Sequence, residues 1–244
     1  MKKKVTIISL ALALIAILVI GTSLAWFTDT DQTTNTFTIG SVKIQQTEKE
    51  HDENGDLQEF TQGQMLLPVV HTENVTEDAN YVEKLVSVKN IGKNDAYVRT
   101  FIAVPAILKD VLHLDVAEDS ADGWNKDAQT WPNVVVGEGT SAVEYAVISF
   151  TYNKALEKEE ATPYVLKGVY LDAAVDVKTN EAGVKQFCTK NADGTYTFYD
   201  FDITREVKVL VATQGCQTAG FEEGAVNALN TAFGTAPDFT VVVP

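Results

Sequence analysis

Residues that most often carry chemistry are scarce here: two cysteines, three histidines and two methionines in 244 residues. Cys188 and Cys216 make no C-x-x-C pair and have no histidine cluster beside them, which removes the usual zinc spacings. His51, His71 and His113 show no H-E-x-x-H spacing, the pattern that sets two imidazoles and a glutamate base on one helix face. There is no G-x-S-x-G elbow, no Walker loop and no G-x-G-x-x-G turn. The residues therefore indicate no catalytic group, no metal and no cofactor. Basic side chains are few, 19 against 34 acidic ones, for a net charge of −15. Such a surface repels nucleic acid and anionic lipid headgroups, so neither is an expected partner.

The one long apolar run lies at the start. Lys2, Lys3 and Lys4 precede the apolar stretch Val5 to Ile20, and Ser23-Leu24-Ala25 supplies the small residues that a signal peptidase requires. Residues 1–25 read as a signal peptide cleaved between Ala25 and Trp26. An uncleaved anchor is the rival reading, because Val5 to Ala25 matches the roughly 20 residues of a membrane span. Removing the leader lysines leaves 16 basic residues against 34 acidic ones, a balance of −18. Residues 26–244 are then a single exported domain, ample for a buried core. Cys188 and Cys216 close a disulfide if their strands are neighbours, and are otherwise two buried thiols.

Period-two patterning dominates the remainder. Lys84 to Lys89 alternates, Asn90-Ile91-Gly92-Lys93-Asn94 turns the chain, and Ala96 to Val104 reads as the returning strand of a hairpin that Pro105 ends. Further strands are expected at Phe37–Gln45, Tyr145–Tyr152, Tyr164–Leu171, Thr195–Tyr199, Glu206–Ala212 and Phe239–Val243. A phase change at Gly40-Ser41 reads as a bulge. Asn54-Gly55 and Asp193-Gly194 are turn signals, the first within a charged stretch, Glu48 to Glu59, that reads as a surface loop. A late helix is expected from Val226, Leu229 and Phe233, with Glu222 and Glu223 at its start and Gly234 at its end. Lys154 to Ala161 suggests a second short helix, and Ile107 to Val135 a long crossover. Together these patterns predict an all-β, two-sheet sandwich of jelly-roll type with a few short helices.

Small polar motifs add little. Asp29-x-Asp31-x-Thr33-x-Asn35 alternates oxygen ligands as a calcium loop begins, but lacks the glycine and closing glutamate of that loop. Asp200-Phe201-Asp202 reads as a solvated strand end, and Asn74-Val75-Thr76 fits a glycosylation acceptor. Trp26 and Phe27 are more telling. As the first residues of the cleaved chain, each costs about 2 kcal/mol if left in water. They are expected to be buried, either on their own core or in a neighbouring subunit as part of an added strand.

Three segments carry a resemblance: LAWFTDTDQTTNTFTIGSVKI, LVSVKNIGKNDAYVRTFIAVP and EVKVLVATQGCQTAGFEEGAVNALNTAFG. They resemble the TasA and camelysin family, exported by the dedicated signal peptidase SipW. The most specific part is the junction, an aromatic pair, Asp29, and then N-T-F-x-x-G-x-V from Asn35 to Val42. The resemblance implies a secreted jelly-roll subunit of the biofilm matrix that polymerises by lending its N-terminal strand, residues 26–36, to the next copy. Trp26, Phe27, Thr28 and Asp29 would begin that strand, with Phe37 and Ile39 contributing further along. It implies a copy of itself as partner, with other matrix proteins, the signal peptidase during export, and no stable membrane partner after cleavage. Camelysin is described as a cell-surface metallopeptidase, so a peptidase drawing on His71, His113 and nearby carboxylates is the alternative. A non-polymerising surface binding module is a third reading.

Overall fold

The computed structural model describes residues 28–31, 42–118, 122–139, 142–201, 203, 206–221, 223–234 and 239. The chain is predominantly β. Two antiparallel sheets form a jelly-roll-type sandwich, and a small third sheet stands beside it. The first sheet orders β1 (Thr28–Asp31), β14 (Leu210–Gln217), β5 (Ala96–Pro105), β9 (Val143–Tyr152) and β7 (Trp124–Lys126), with β8 (Val134–Val136) also on β9. The second orders β3 (Leu57–Glu59), β2 (Ile44–His51), β4 (Val82–Asn90), β10 (Leu166–Leu171) and β6 (Leu112–Val116). The third is β11 (Val175–Thr179), β12 (Lys185–Lys190) and β13 (Tyr196–Phe198).

Alternation explains the core. Val98, Ile102 and Val104 of β5, Phe150 and Tyr152 of β9 and Val211 of β14 meet Ile44, Val86, Val88, Leu166 and Val169 of the opposite sheet. The other face of the first sheet is also covered. There Phe101, Ala103, Tyr145, Val147, Leu210 and Ala212 gather around Trp131 and Phe239, and Cys216 lies beneath Ala228 and Leu229 of α1 (Ala225–Phe233). With both faces covered and strands on either side, every residue of β14 is buried.

The expected hairpin at Asn90–Asn94 is overturned. β4 pairs with β2 and β10, whereas β5 pairs with β14 and β9, so the turn carries the chain from one sheet to the other. Buried Asn90 holds this corner: its Nδ2 donates to the carbonyls of Asn94 (2.9 Å) and Leu156 (2.8 Å), and its Oδ1 accepts from Gly92 N–H (2.9 Å). Alternation shows that each strand buries one face; it does not say whether the next strand lies beside it or opposite it.

Other expectations shift as well. Lys154–Ala161 is not helical: Leu156 is extended and fully buried, exchanging both backbone bonds with Ala96 at 2.8 and 3.0 Å. The charged stretch Glu48–Glu59 is a built β2–β3 hairpin, with Gly55 at φ 84° and Asp52 Oδ1 accepting from Asn54 and Asp56 N–H. The Ile107–Val135 crossover contains β6, β7 and β8. The strand expected at Glu206 begins at Leu210 and runs to Gln217. In α1 the buried side chains are Ala228 and Leu229, while Val226 is exposed, and Gly234 at φ 74° ends the helix. The bulge at Gly40-Ser41 and the strand after Phe239 lie outside the described residues.

Candidate functional site

Of the residues expected in the assembly strand, Thr28 and Asp29 fall in β1; Ala25, Trp26, Phe27, Phe37 and Ile39 lie outside the described residues. Among the described residues, β1 stands at the end of its sheet and pairs with β14 alone. Its antiparallel register sets Thr28 opposite Cys216, Asp29 opposite Gly215, Thr30 opposite Gln214 and Asp31 opposite Thr213. Of the alternating pattern Asp29 to Asn35, Thr33 and Asn35 lie outside the described residues.

The interior next to this edge is polar. Thr213 Oγ1 donates to Gln46 Oε1 at 2.8 Å and lies 3.1 Å from Thr100 Oγ1. Gln46 Nε2 donates to Glu48 Oε1 at 3.2 Å, and Glu48 pairs with buried Lys84, whose ammonium sits 4.2 Å from the centre of the Phe60 ring. Gly215 permits close approach of the sheets: a Cβ there would stand 2.9 Å from Ile44 Cγ2. The strand Thr-Asp-Thr-Asp is joined to β14 by ladder hydrogen bonds. Each such bond contributes about 1 kcal/mol net, against about 1–2 kcal/mol to order each residue's backbone.

On the outer face of the same sheet, Arg99 is 1% exposed. Its Nη1 donates to Asn230 Oδ1 of α1 at 2.6 Å and its Nη2 to Gln214 Oε1 at 2.9 Å. Its guanidinium carbon lies 4.9 Å from the Phe101 ring centre and 5.2 Å from that of Trp131. Burial lowers its pKa, opposed by the negative charge of Asp127. Asp127 accepts from the Ser149 hydroxyl, which accepts from Trp131 Nε1 at 2.7 Å. Arg99 thus fixes helix α1 to β14 and β5. The sequence carried one sign of it: alternation places Arg99 on the same strand face as Tyr97 and Phe101.

The disulfide alternative for Cys188 and Cys216 is corrected. Cys188 lies on β12 of the third sheet and Cys216 on β14 of the first; their strands are not neighbours, and both thiols are free and buried. Burial raises the pKa of Cys188 and pushes that of Cys216 to about 12.

The histidines engage separate carboxylates. His51 lies 3.0 Å from Glu83, His71 3.4 Å from Asp78 and His113 3.1 Å from Asp172. His71 and His113 are thus not brought onto a shared carboxylate, and among the described residues no three His, Cys, Asp or Glu side chains are grouped as metal ligands. Asp78 is a loop anchor that sequence reading missed. It accepts from the backbone N–H groups of Asn80, His71 and Val70 at 2.8–2.9 Å, which hold its pKa down at about 2. The stretch before it carried no turn signature that would have announced this.

Fold and edge together define an all-β sandwich with β1 at the margin of one sheet among the described residues. Comparisons with protein-family models, characterised proteins and solved structures each return no match.

Proposed function

We propose that this protein is a secreted subunit of an extracellular matrix fibre, polymerising when the N-terminal strand of one copy completes the β14 edge of another. One observation carries the reading: among the described residues, β1 (Thr28–Asp31) stands at the end of its sheet and pairs with β14 alone. Release of this strand opens a row of unpaired backbone groups on β14. Such an edge is a template for the same segment from a second chain.

The leader residues Lys2 to Ala25 support export, and cleavage before Trp26 frees the strand for donation. The family resemblance centres on the same junction. Partners are further copies of the chain and other matrix proteins, with the signal peptidase acting once during export. At −18 per cleaved chain, subunits repel one another, so added salt or a fall in pH toward 4.5 favours assembly.

Negative-stain microscopy of protein beginning at Trp26 should show filaments whose yield rises with salt. Protein lacking residues 26–35 should stay monomeric. Monomers from both, across salt and pH, would remove the fibre reading.

A further inference from the structure

We propose that the exposed strip Met65, Leu67 and Val70 receives Trp26 and Phe27 of a second copy, stacking subunits head to tail. The inference rests on the fibre reading and names the surface that its aromatic pair meets.

The strip is built on a held segment. Leu66 packs against the main core, and Val69 is buried with its N–H on the Leu171 carbonyl at 3.0 Å. Asn80 Nδ2 donates to the Pro68 carbonyl at 2.7 Å, and Asp78 ties down Val70 and His71. The side chains between these anchors face water: Met65 is 76% exposed, Leu67 42% and Val70 70%. An apolar surface on a fixed backbone is a ready docking site. Exposed Glu73 and Glu77 follow it in the chain, which disfavours an anionic lipid surface as occupant.

The occupant follows from where the two features stand. Pro68 bridges Leu171, which pairs with Leu112, the first residue of β6; Val82, where β4 begins, pairs with Val169. The strip therefore sits at the end of the sandwich where β4 starts and β5 finishes. Thr28 is at the other end, opposite Cys216, which pairs with Tyr97 near the start of β5. The ten residues of β5 separate these ends by about 33 Å. Trp26 and Phe27 reach no farther than about 7 Å from Thr28 along the backbone, and the length of one aromatic side chain does not make up the difference. They cannot touch the strip of the sandwich on which Thr28 lies, and this holds whether β1 completes its own β14 or another copy's. A second sandwich placed end to end brings them together, and such a head-to-tail contact propagates as an open filament.

Substitution of Met65, Leu67 and Val70 by serine removes the strip without adding charge. In protein beginning at Trp26, this triple variant should keep the parent melting temperature while the critical concentration for pelleting rises by about tenfold or more. Parent-like pelleting by the triple variant, with the 26–35 deletion monomeric, overturns the strip and leaves the fibre reading standing. Failure of the unmodified protein to pellet removes the fibre reading instead. A second measurement covers a triple variant that misfolds: Trp26→Cys protein is mixed with Leu67→Cys protein and oxidised. Disulfide-linked heterodimers are expected, and cross-linking no greater than with Val226→Cys in place of Leu67→Cys overturns the proposal.

Discussion

Thr213 and Gln46 join the two sheets across the interior: the threonine hydroxyl of β14 donates to the glutamine carbonyl oxygen of β2 at 2.8 Å. Thr213 is also the residue facing Asp31 of β1. The edge that accepts β1 is thus tied to the opposite sheet by a hydrogen bond in addition to the apolar packing of Val211. Thr213→Val keeps the shape and removes the hydroxyl shared with Gln46 and Thr100. It should cost about 1–2 kcal/mol in urea unfolding. A value near zero would mean that the polar thread contributes nothing to holding the sheets.

Arg99 predicts an asymmetry between two substitutions. Arg99→Ala strands Gln214 and Asn230 and leaves a void beside Trp131, for a loss of about 3 kcal/mol. Arg99→Met fills the volume without burying a charge, so its loss should be smaller, about 1 kcal/mol. Equal losses in urea melts would show that the void alone matters.

Acid stability should depend on Asp78. Its pKa lies at about 2 in the fold, below the ordinary 3.8, so its contribution is present above pH 3.8 and is lost as pH falls toward 2. Asp52, Asp172, Asp176, Asp193 and Glu159 are lowered too, and act in the same direction. Melting temperatures of Asp78→Asn and parent protein should converge as pH is taken from 4.5 to 2. A constant gap across that range would contradict the role given to the carboxylate.

The thiols should be silent in the folded protein. Both are buried with raised pKa values, so a thiol reagent at pH 8 should label neither quickly and both after denaturation. Rapid labelling of Cys216 under native conditions would place it outside the cover of α1.

Much of this molecule was legible from its residues, and the losses have physical causes. Period-two runs revealed β9, β10 and the course of β4 and β5, because strand alternation depends only on each strand having one face in the core. Pairing was not legible: Asn90–Asn94 reads the same as a hairpin turn or as a corner between sheets, and only the long-range pairing of β4 with β2 and β10 and of β5 with β14 and β9 decides. Leu156 looked helical in a charged setting, yet backbone exchange with Ala96 makes it strand-like. At the site, the aromatic pair and following aspartate marked the segment to watch. Its neighbour β14 could not be inferred, since that pairing joins opposite ends of the sequence. Arg99 and Asp78 escaped because their importance comes from partners distant in sequence or from backbone donors, neither of which leaves a spacing pattern.

The register of β1 supplies the most direct test of strand donation. Thr28 faces Cys216, and paired antiparallel residues stand about 4.5–5.5 Å apart between Cα atoms, within the range a disulfide spans. Filaments of Thr28→Cys protein, oxidised after assembly, should run on a non-reducing gel as a ladder of covalent oligomers that collapses on reduction. Filaments that instead dissolve into monomers, each with Cys216 bonded to the new thiol of its own chain, would show that β1 never leaves its molecule.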